Sequence, residues 1–343
     1  MVINKFPYHK SATSRDVARL AGVSQSTVSR VFANPDGKGT TAAVRERVLK
    51  AAAELGYRPN FVARGMISGK TNIIGVVLGE GMGPFYHAIL DRLISVIQAS
   101  GKQALMFKVD QRDNIDNIIS TVLQFQVEAI IVTAPAMAKD INRLEVKSQI
   151  PVILFNRFIQ NTDLHTVYVD AIEGGRLAAE YLFKMGHTEI ACIRYHQETR
   201  EESEKQIGFL GELRRYGLCQ VSIEKADYTY ESGYQVCRKI LDMDRRPTAL
   251  FCTSDTIALG AMDVARNEFG LRIPEDLSII GYDDIPMVQW KAYNMTTIRQ
   301  PFNKLIDETL SILDCIQKED PSQPIIKLIQ PTLVERATVK HIV

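Results

Sequence analysis

The chain has 343 residues, 45% of them hydrophobic and 24% charged, which excludes a disordered chain and gives two or three folded units with sizeable cores. Its formal net charge of +1 hides an asymmetry: residues 1–70 carry 12 Lys+Arg against 4 Asp+Glu, and the rest carry 29 against 36. A basic head on an acidic body points to one part that meets an anionic polymer and one that does not.

Residues 14–56 read as three short helices. Ser14 is the expected N-cap of the first, with Asp16 in the first turn, where the helix dipole favours an anion. Ala21-Gly22-Val23 reads as a tight turn, and Ser24 as the cap of a second helix over 25–32. Val17, Leu20, Val23, Val28 and Val31 have the spacing of a small shared core. A helix, a glycine turn and a second helix rich in small polar residues form the helix-turn-helix pattern. Within that second helix Gln25 has the amide for bidentate reading of adenine and Arg30 the fork for guanine, while Ser26, Thr27 and Ser29 offer hydroxyls to phosphates. Thr41 caps a third helix over 42–55, striped by Val44, Val48, Ala51, Ala52 and Leu55, with Gly56 just past its end. Pro59 suits a linker or the start of a short helix.

From residue 72 onward short apolar runs alternate with amphipathic stretches, the pattern of parallel sheets with crossover helices. Strands are expected over 73–78, 104–107, 129–132 and 152–155, then in a second group over 190–193, 249–252 and 278–282. Two groups predict two similar α/β subdomains with a cleft between them, where ligands lie beyond the carboxyl ends of the strands.

Several joined motifs carry a resemblance. In the head they are Ser24-x-x-Thr27-Val28-Ser29-Arg30-Val31, Arg45-Glu46-Arg47-Val48 and Leu55-Gly56-Tyr57-Arg58-Pro59-Asn60. In the body they include Pro84-Phe85-Tyr86, Asp170-x-x-x-Gly174-Gly175, Ser254-Asp255-x-x-Ala258-x-Gly260, Gly281-Tyr282-Asp283-Asp284 and Thr297-Ile298-Arg299-Gln300-Pro301. Together, over essentially the whole chain, they resemble the LacI/GalR family of bacterial transcription regulators. The resemblance implies an all-α helix-turn-helix DNA-binding head plus an α/β periplasmic-binding-protein-like core of two parallel-sheet subdomains. It divides the chain into a head over 1–58, a hinge over 59–70 and an effector-binding and dimerisation core over 71–343. Within the core it implies an N-subdomain of about 71–168 and 298–327 and a C-subdomain of about 169–297 and 328–343.

The implied operator contacts are Ser14, Ser24, Gln25, Ser26, Thr27, Ser29, Arg30, Arg58, Asn60, Arg64 and Met66. Met66 takes the place of a leucine wedge that kinks the duplex from the minor groove, and Gly65 beside it lowers helix propensity. The loop over 34–40 is about two residues longer than the family's, and Lys38 within it either touches a phosphate or is simply solvated. The implied effector contacts are Phe85, Asn156, Arg157, Lys205, Tyr228, Ser254 and Asp283. Lys205 stands where sugar-binding members carry arginine, Ser254 where many carry asparagine, and the charged run over 198–205, beginning at Glu198, replaces small residues. With Arg157, Lys205 opens the expectation of a sugar-derived effector, anionic forms included.

Rival classes fit less well. There is no Gly-x-Ser-x-Gly elbow, P-loop or HExxH pair, and five dispersed cysteines form no CxxC, so no catalytic residue, metal or cofactor is expected. Asp283 and Asp284 are neighbours on a strand end and point different ways. A solute-binding transport protein or an enzyme on the same core is the alternative, but it leaves the basic head unexplained. The opening residues lack a signal peptide's apolar run and no stretch is long enough to span a bilayer, so the cytoplasmic nucleoid is the expected compartment, with no membrane partner. The expectation is a homodimeric repressor on a pseudo-palindromic double-stranded operator, controlled by a small molecule. Residues 332–343 carry no heptad pattern, which favours a dimer over a tetramer.

Overall fold

A computed structural model describes residues 12–33, 39–58, 71–79, 84–109, 115–133, 150–159, 162–197, 199–319 and 323–342. The chain divides into two compact units, Met1–Thr71 and Asn72–Val343.

Three helices build the described part of the first unit: α1 Ser14–Ala21, α2 Gln25–Ala33 and α3 Ala42–Glu54. The N-cap of α1 is Thr13, not Ser14. The Asp16 amide donates to Thr13 Oγ1 at 3.4 Å, and the Thr13 amide donates back to Asp16 Oδ2 at 3.0 Å. This reciprocal box needs an acid three residues after the cap, which Asp16 supplies from Thr13 and which Val17 could not supply from Ser14. Gly22 at φ 66 closes α1 in a left-handed turn that a Cβ would strain. Ser24 caps α2 as expected, its Oγ accepting from the Thr27 amide at 3.2 Å. Val17, Ala18, Ala21, Val28, Val31, Val48, Ala51 and Ala52 form the core, with Val23, Phe32 and Tyr57 packed on it. Leu20, expected in that core, is 48% exposed. The buried residues of α1 cluster on one side, and Leu20 falls roughly 100° round the helix from their centre.

The second unit holds two six-stranded sheets. The first has the order β11-β5-β4-β3-β1-β2, all parallel, from Ile326–Ile329, His165–Val169, Val152–Phe155, Ala129–Val132, Ile73–Leu78 and Gln103–Lys108. The second has the order β12-β10-β9-β8-β6-β7, from Thr332–Val334, Thr297–Arg299, Ser278–Asp283, Ala249–Cys252, Ile190–Tyr195 and Ser222–Ala226. Only β12 in it runs antiparallel to its neighbour. The helices α4 Pro84–Ala99, α5 Ile115–Gln124, α6 Ala171–Lys184, α7 Arg200–Arg215, α8 Tyr230–Leu241, α9 Asp255–Asn267 and α10 Phe302–Glu319 make the crossovers. The chain passes between the sheets three times: after β5, after β10 and between β11 and β12.

Of the strands read from apolar runs, all but the edge strand β2 are interior: β3, β4 and β8 are buried throughout, as parallel strands covered on both faces must be. The five without an expected counterpart are β5, β7, β10, β11 and β12. Two of these, β10 and β12, have three residues each, and β7 and β11 lie at or near sheet edges with polar, exposed positions. Helices α6 and α7 cross at glycine. A Cβ on Gly175 would overlap the Lys205 carbonyl, and one on Gly208 the Ile172 carbonyl. This reciprocal contact draws the first two turns of α7 against α6 and fixes where Glu201, Glu202 and Lys205 stand.

Candidate functional site

On the head, Val28 and Val31 anchor α2 while Ser24, Gln25, Ser26, Ser29 and Arg30 are exposed and Thr27 is half-buried. Ser24 Oγ lies 2.8 Å from Ser26 Oγ and 2.9 Å from Thr27 Oγ1, so three hydroxyls share one corner at the start of the helix. Gln25 is held more tightly than its sequence suggests. Its Nε2 donates to Ser14 Oγ at 2.9 Å, and its Oε1 accepts a long 3.5 Å contact from Arg15 Nε. Ser14 and Gln25 therefore brace α1 against α2 rather than standing as separate open donors. Arg45 donates to the Val31 carbonyl at 3.2 Å near the end of α2, and Arg58 is exposed. Asn60, Arg64, Met66, the rest of the hinge and residues 34–38 with Lys38 lie outside the described residues, as does the side chain of Phe85.

In the core, the ends of β4 and β9 converge on a crevice of about 480 Å³ measured out to its open mouth. Asn156, just past β4, has φ 53, and Asp283, ending β9, has φ 122. Both non-glycine residues sit in the left-handed region, a cost borne at few positions and concentrated at functional ones. Between them lies Gln300, in the segment leading from β10 to α10. Asn156 Nδ2 donates to Gln300 Oε1 at 2.9 Å, and Gln300 Nε2 donates to Asp283 Oδ1 at 2.7 Å. One buried amide thus ties the first sheet to the second at their carboxyl ends. Asp284 turns the other way, accepting from Arg299 Nε and Arg336 Nη2 at 2.6 Å each. Burial pushes the Asp283 carboxyl up to about 7; Glu201 and Glu202 add to this, and the Lys205 ammonium and the Gln300 hydrogen bond oppose it.

Lys205 is not the free cation its position in the sequence suggests. It is 1% exposed, and its Nζ reaches Glu201 Oε1 and Glu202 Oε1 at 3.0 Å each and the Thr253 carbonyl at 3.2 Å. It also stands 4.2 Å over the Tyr282 ring. Burial pulls its pKa down, but the two glutamates outweigh that and hold it well above its ordinary value. The case for an anionic ligand therefore loses one of its two cations. Glu202, fully buried, is satisfied in turn by the Tyr228 hydroxyl at 2.6 Å, the Thr253 hydroxyl at 2.8 Å and the Tyr195 amide at 3.2 Å. Tyr228 stacks on Tyr195 with centroids 3.9 Å apart, so one of its faces is already covered. Ser254 is the N-cap of α9, its Oγ accepting from the Thr256 amide at 3.2 Å. Lys205, Tyr228 and Ser254 are not among the residues that line the crevice.

The lining itself is Asn156, Arg157, Phe158, Tyr168, Val169, Ala171, Thr199, Arg200, Glu201, Glu204, Tyr282 and Gln300. Arg157 donates from Nε to the Thr133 carbonyl at 3.3 Å. Arg200 lies 4.1 Å over the Phe158 ring and bonds Glu204 at 2.5 Å, bridging from α7 to the segment after β4. Sequence reasoning missed Gln300, Tyr282, Glu201 and Glu204 as lining, and passed over Tyr86, which is not among the lining residues. Burial pushes the Tyr86 hydroxyl up to about 12; Glu201 and Asp283 add to this, and Arg157 and Lys205 oppose it. Tyr86, Tyr282 and Gln300 each sit inside a quoted motif, so the signal was proximity within the motif to the residue chosen. Among the described residues no His/Cys/Asp/Glu cluster could hold a metal ion.

Comparison with known proteins agrees with this arrangement. Residues 13–60 match the family of bacterial regulatory proteins, lacI family, and residues 179–339 match a periplasmic binding protein-like domain. The HTH-type transcriptional repressor CytR of Escherichia coli K12 is 33% identical over 307 residues, 88% of this chain and 89% of that protein. The repressor PurR of Vibrio atlanticus is 30% identical over 338 residues, 96% of this chain and 99% of that protein. The lac repressor dimer bound to operator and the anti-inducer ONPF superposes with a TM-score of 0.86 at 27% identity, covering 96% of this chain and all of that one. A CelR–cellobiose complex gives a TM-score of 0.68 at 27% identity, over 95% of this chain and 99% of that one. With a helix-turn-helix head, two parallel-sheet α/β halves and relatives aligned along nearly its full length, the chain belongs to the lacI family of DNA-binding transcriptional regulators.

Proposed function

We propose that the protein is a homodimeric repressor that binds a pseudo-palindromic operator and changes its grip when a small molecule fills the crevice. The observation that carries this is the Asn156–Gln300–Asp283 chain, because it joins the two sheets at the place where a ligand would sit. A hydroxylated ligand that takes Asp283 as its acceptor competes with the Gln300 amide. It thereby acts on both sheets at once, which is the differential interaction that a two-state switch requires.

On the head, Ser26, Ser29 and Arg30 supply the exposed face of α2 to the major groove, with Thr27 and Ser24 at its leading corner and Arg58 on the flank. Gln25 and Ser14 hold the angle between α1 and α2. In the hinge, proposed over 59–70, Asn60 and Arg64 take backbone and groove contacts and Met66 is the minor-groove wedge. The core divides into the subdomains named above, with Asn156, Arg157, Asp283, Tyr86, Tyr282 and Gln300 contacting the effector and Lys205, Tyr228 and Ser254 supporting them. Dimerisation is favoured by exposed apolar groups on the core, among them Trp290 at 58% and Tyr230 at 39%. The relatives are repressors, one neighbour was solved as a dimer on operator and another with cellobiose, and all of this matches binding without turnover on DNA in the cytoplasm.

The test is to select operator sequences with the purified protein and then screen metabolites for release of the selected duplex. A compound that releases operator without being consumed supports the reading. Selection that recovers no enriched, two-fold-symmetric sequence overturns it.

A further inference from the structure

The loop that joins α2 to α3 is longer than the resemblance implies, and Gly39, where its described residues resume, stands against the helix proposed to enter the major groove. Gly39 has φ 87, a left-handed conformation that glycine adopts without strain. A Cβ built on it would lie 3.1 Å from Arg30 Cδ and 3.9 Å from Arg30 Cγ, so the aliphatic stem of Arg30 passes close over the bare Cα. At 3.1 Å two carbons are nearer than their optimal packing distance, and the stem would have to give way. Both sides of this contact are held in place. Val28 and Val31 are buried and seat α2, and Arg45 of α3 donates to the Val31 carbonyl at 3.2 Å, one residue past Arg30. Gly39 lies two residues before Thr41, whose Oγ1 accepts from the Val44 amide at 3.4 Å and fixes the start of α3. The far end of Arg30 is free. Arg19 pairs with Asp16, Arg15 contacts Gln25 and Arg45 is used on α2, whereas exposed Arg30 has no hydrogen-bond or ion-pair partner among the described residues. An arginine with a packed stem and a free fork has given up rotamer freedom before it meets a ligand.

We propose that Gly39 is a positioning residue for Arg30: the contact aims the guanidinium from the last turn of α2 and so sets how sharply the head selects guanine at one position of each operator half-site. This rests on reading Arg30 as a base-contacting residue. Guanine offers two acceptors, O6 and N7, to a planar fork, and that recognition depends on the direction in which the fork points. A phosphate contact positions the head without carrying sequence information. A side chain at position 39 that turns Arg30 off its rotamer therefore weakens base selection and leaves the phosphate contacts as they are.

Operators are selected with the full chain, and the base preference at each position is compared among the wild type, Arg30→Ala, Gly39→Ala, Gly39→Asn and Gly39→Asn combined with Arg30→Ala. Arg30→Ala is expected to lose about tenfold or more of the preference for guanine at one position of each half-site. Asparagine carries a Cβ but enters the left-handed region more readily than alanine, so Gly39→Asn separates the contact from backbone strain. Both Gly39 variants are expected to lose about two- to tenfold at that same position, the fold-change of one side chain held off its rotamer. Preferences elsewhere and the salt slope of binding should not change. Added to Arg30→Ala, Gly39→Asn should alter nothing further. If Arg30→Ala changes no base preference, the base-reading role of Arg30 falls, and this inference with it. If Arg30→Ala acts and the Gly39 variants leave that position alone, or weaken binding to every sequence alike, the positioning role is overturned and the role of Arg30 stands. An effect of Gly39→Ala that Gly39→Asn lacks overturns it too, since backbone strain is then the cause. A head that fails to fold with either residue assigns Gly39 to the fold of the head and likewise overturns the proposal.

Discussion

Lys205 and Glu202 illustrate how one buried residue is decided by another. An isolated ammonium at that depth would be far too costly, but here it has two carboxylates, a carbonyl and an aromatic face. Lys205→Met leaves Glu202 buried without its cation and is expected to cost about 3–5 kcal/mol in urea unfolding. Combining it with Glu202→Gln should recover part of that loss, because the uncompensated charge is then gone. A double variant as unstable as the single one would show that packing and not charge balance decides the site. Asp283 makes a second residue-scale case. Its carboxyl is raised from an ordinary 3.8 to about 7, chiefly by burial, so between those values the folded chain holds a proton that the unfolded chain has released. Stability should therefore fall as pH rises from about 4 to about 7, and Asp283→Asn should flatten that window. For the ligand the sign is opposite: the carboxylate that accepts a hydroxyl is fully present only above pH 7. Affinity for a hydroxylated effector should rise from pH 6 to 8.

Among elements, the helix starts follow local chemistry closely. Thr13 caps α1 through the Asp16 box, and Thr13→Ala is expected to cost the head about 1 kcal/mol, read as a lower melting temperature of the head transition. Ser14→Ala should cost less, since Ser14 is not the cap. The reverse order would contradict the assignment. Much of the fold was legible in the sequence because buried parallel strands such as Ala129–Val132 and Ala249–Cys252 are unbroken apolar runs. The strand Ser222–Ala226 was not, because an edge strand has one neighbour and can carry Ser, Glu and Lys without penalty. The crevice was half legible. Asn156 and Arg157, just past β4, line it, whereas Asp283 is not among the lining residues and is tied to them through Gln300. The pairing of Lys205 with Glu201 and Glu202 was not legible, because the side-chain directions of these neighbours in sequence depend on the glycine crossing of α6 and α7. Gln300 was passed over because nothing local shows that an amide there spans two sheets.

At the scale of the whole molecule, the charge asymmetry and the crevice divide the work. The head holds the basic surplus, so operator affinity should fall steeply with salt: with six to ten phosphate contacts, about 10³–10⁵ is lost between 50 and 200 mM. A flat salt dependence would mean that the head is not the DNA-binding part. Ligand release of operator is the central claim, and it is tested most directly by the anisotropy of a labelled selected operator. The duplex is titrated with a releasing compound against the wild type and Asp283→Asn, each compared with its own compound-free isotherm. The account predicts release from the wild type and, in Asp283→Asn, a requirement for at least about tenfold more compound, as expected when a charged hydrogen-bond acceptor is lost. Equal release from both proteins would contradict it.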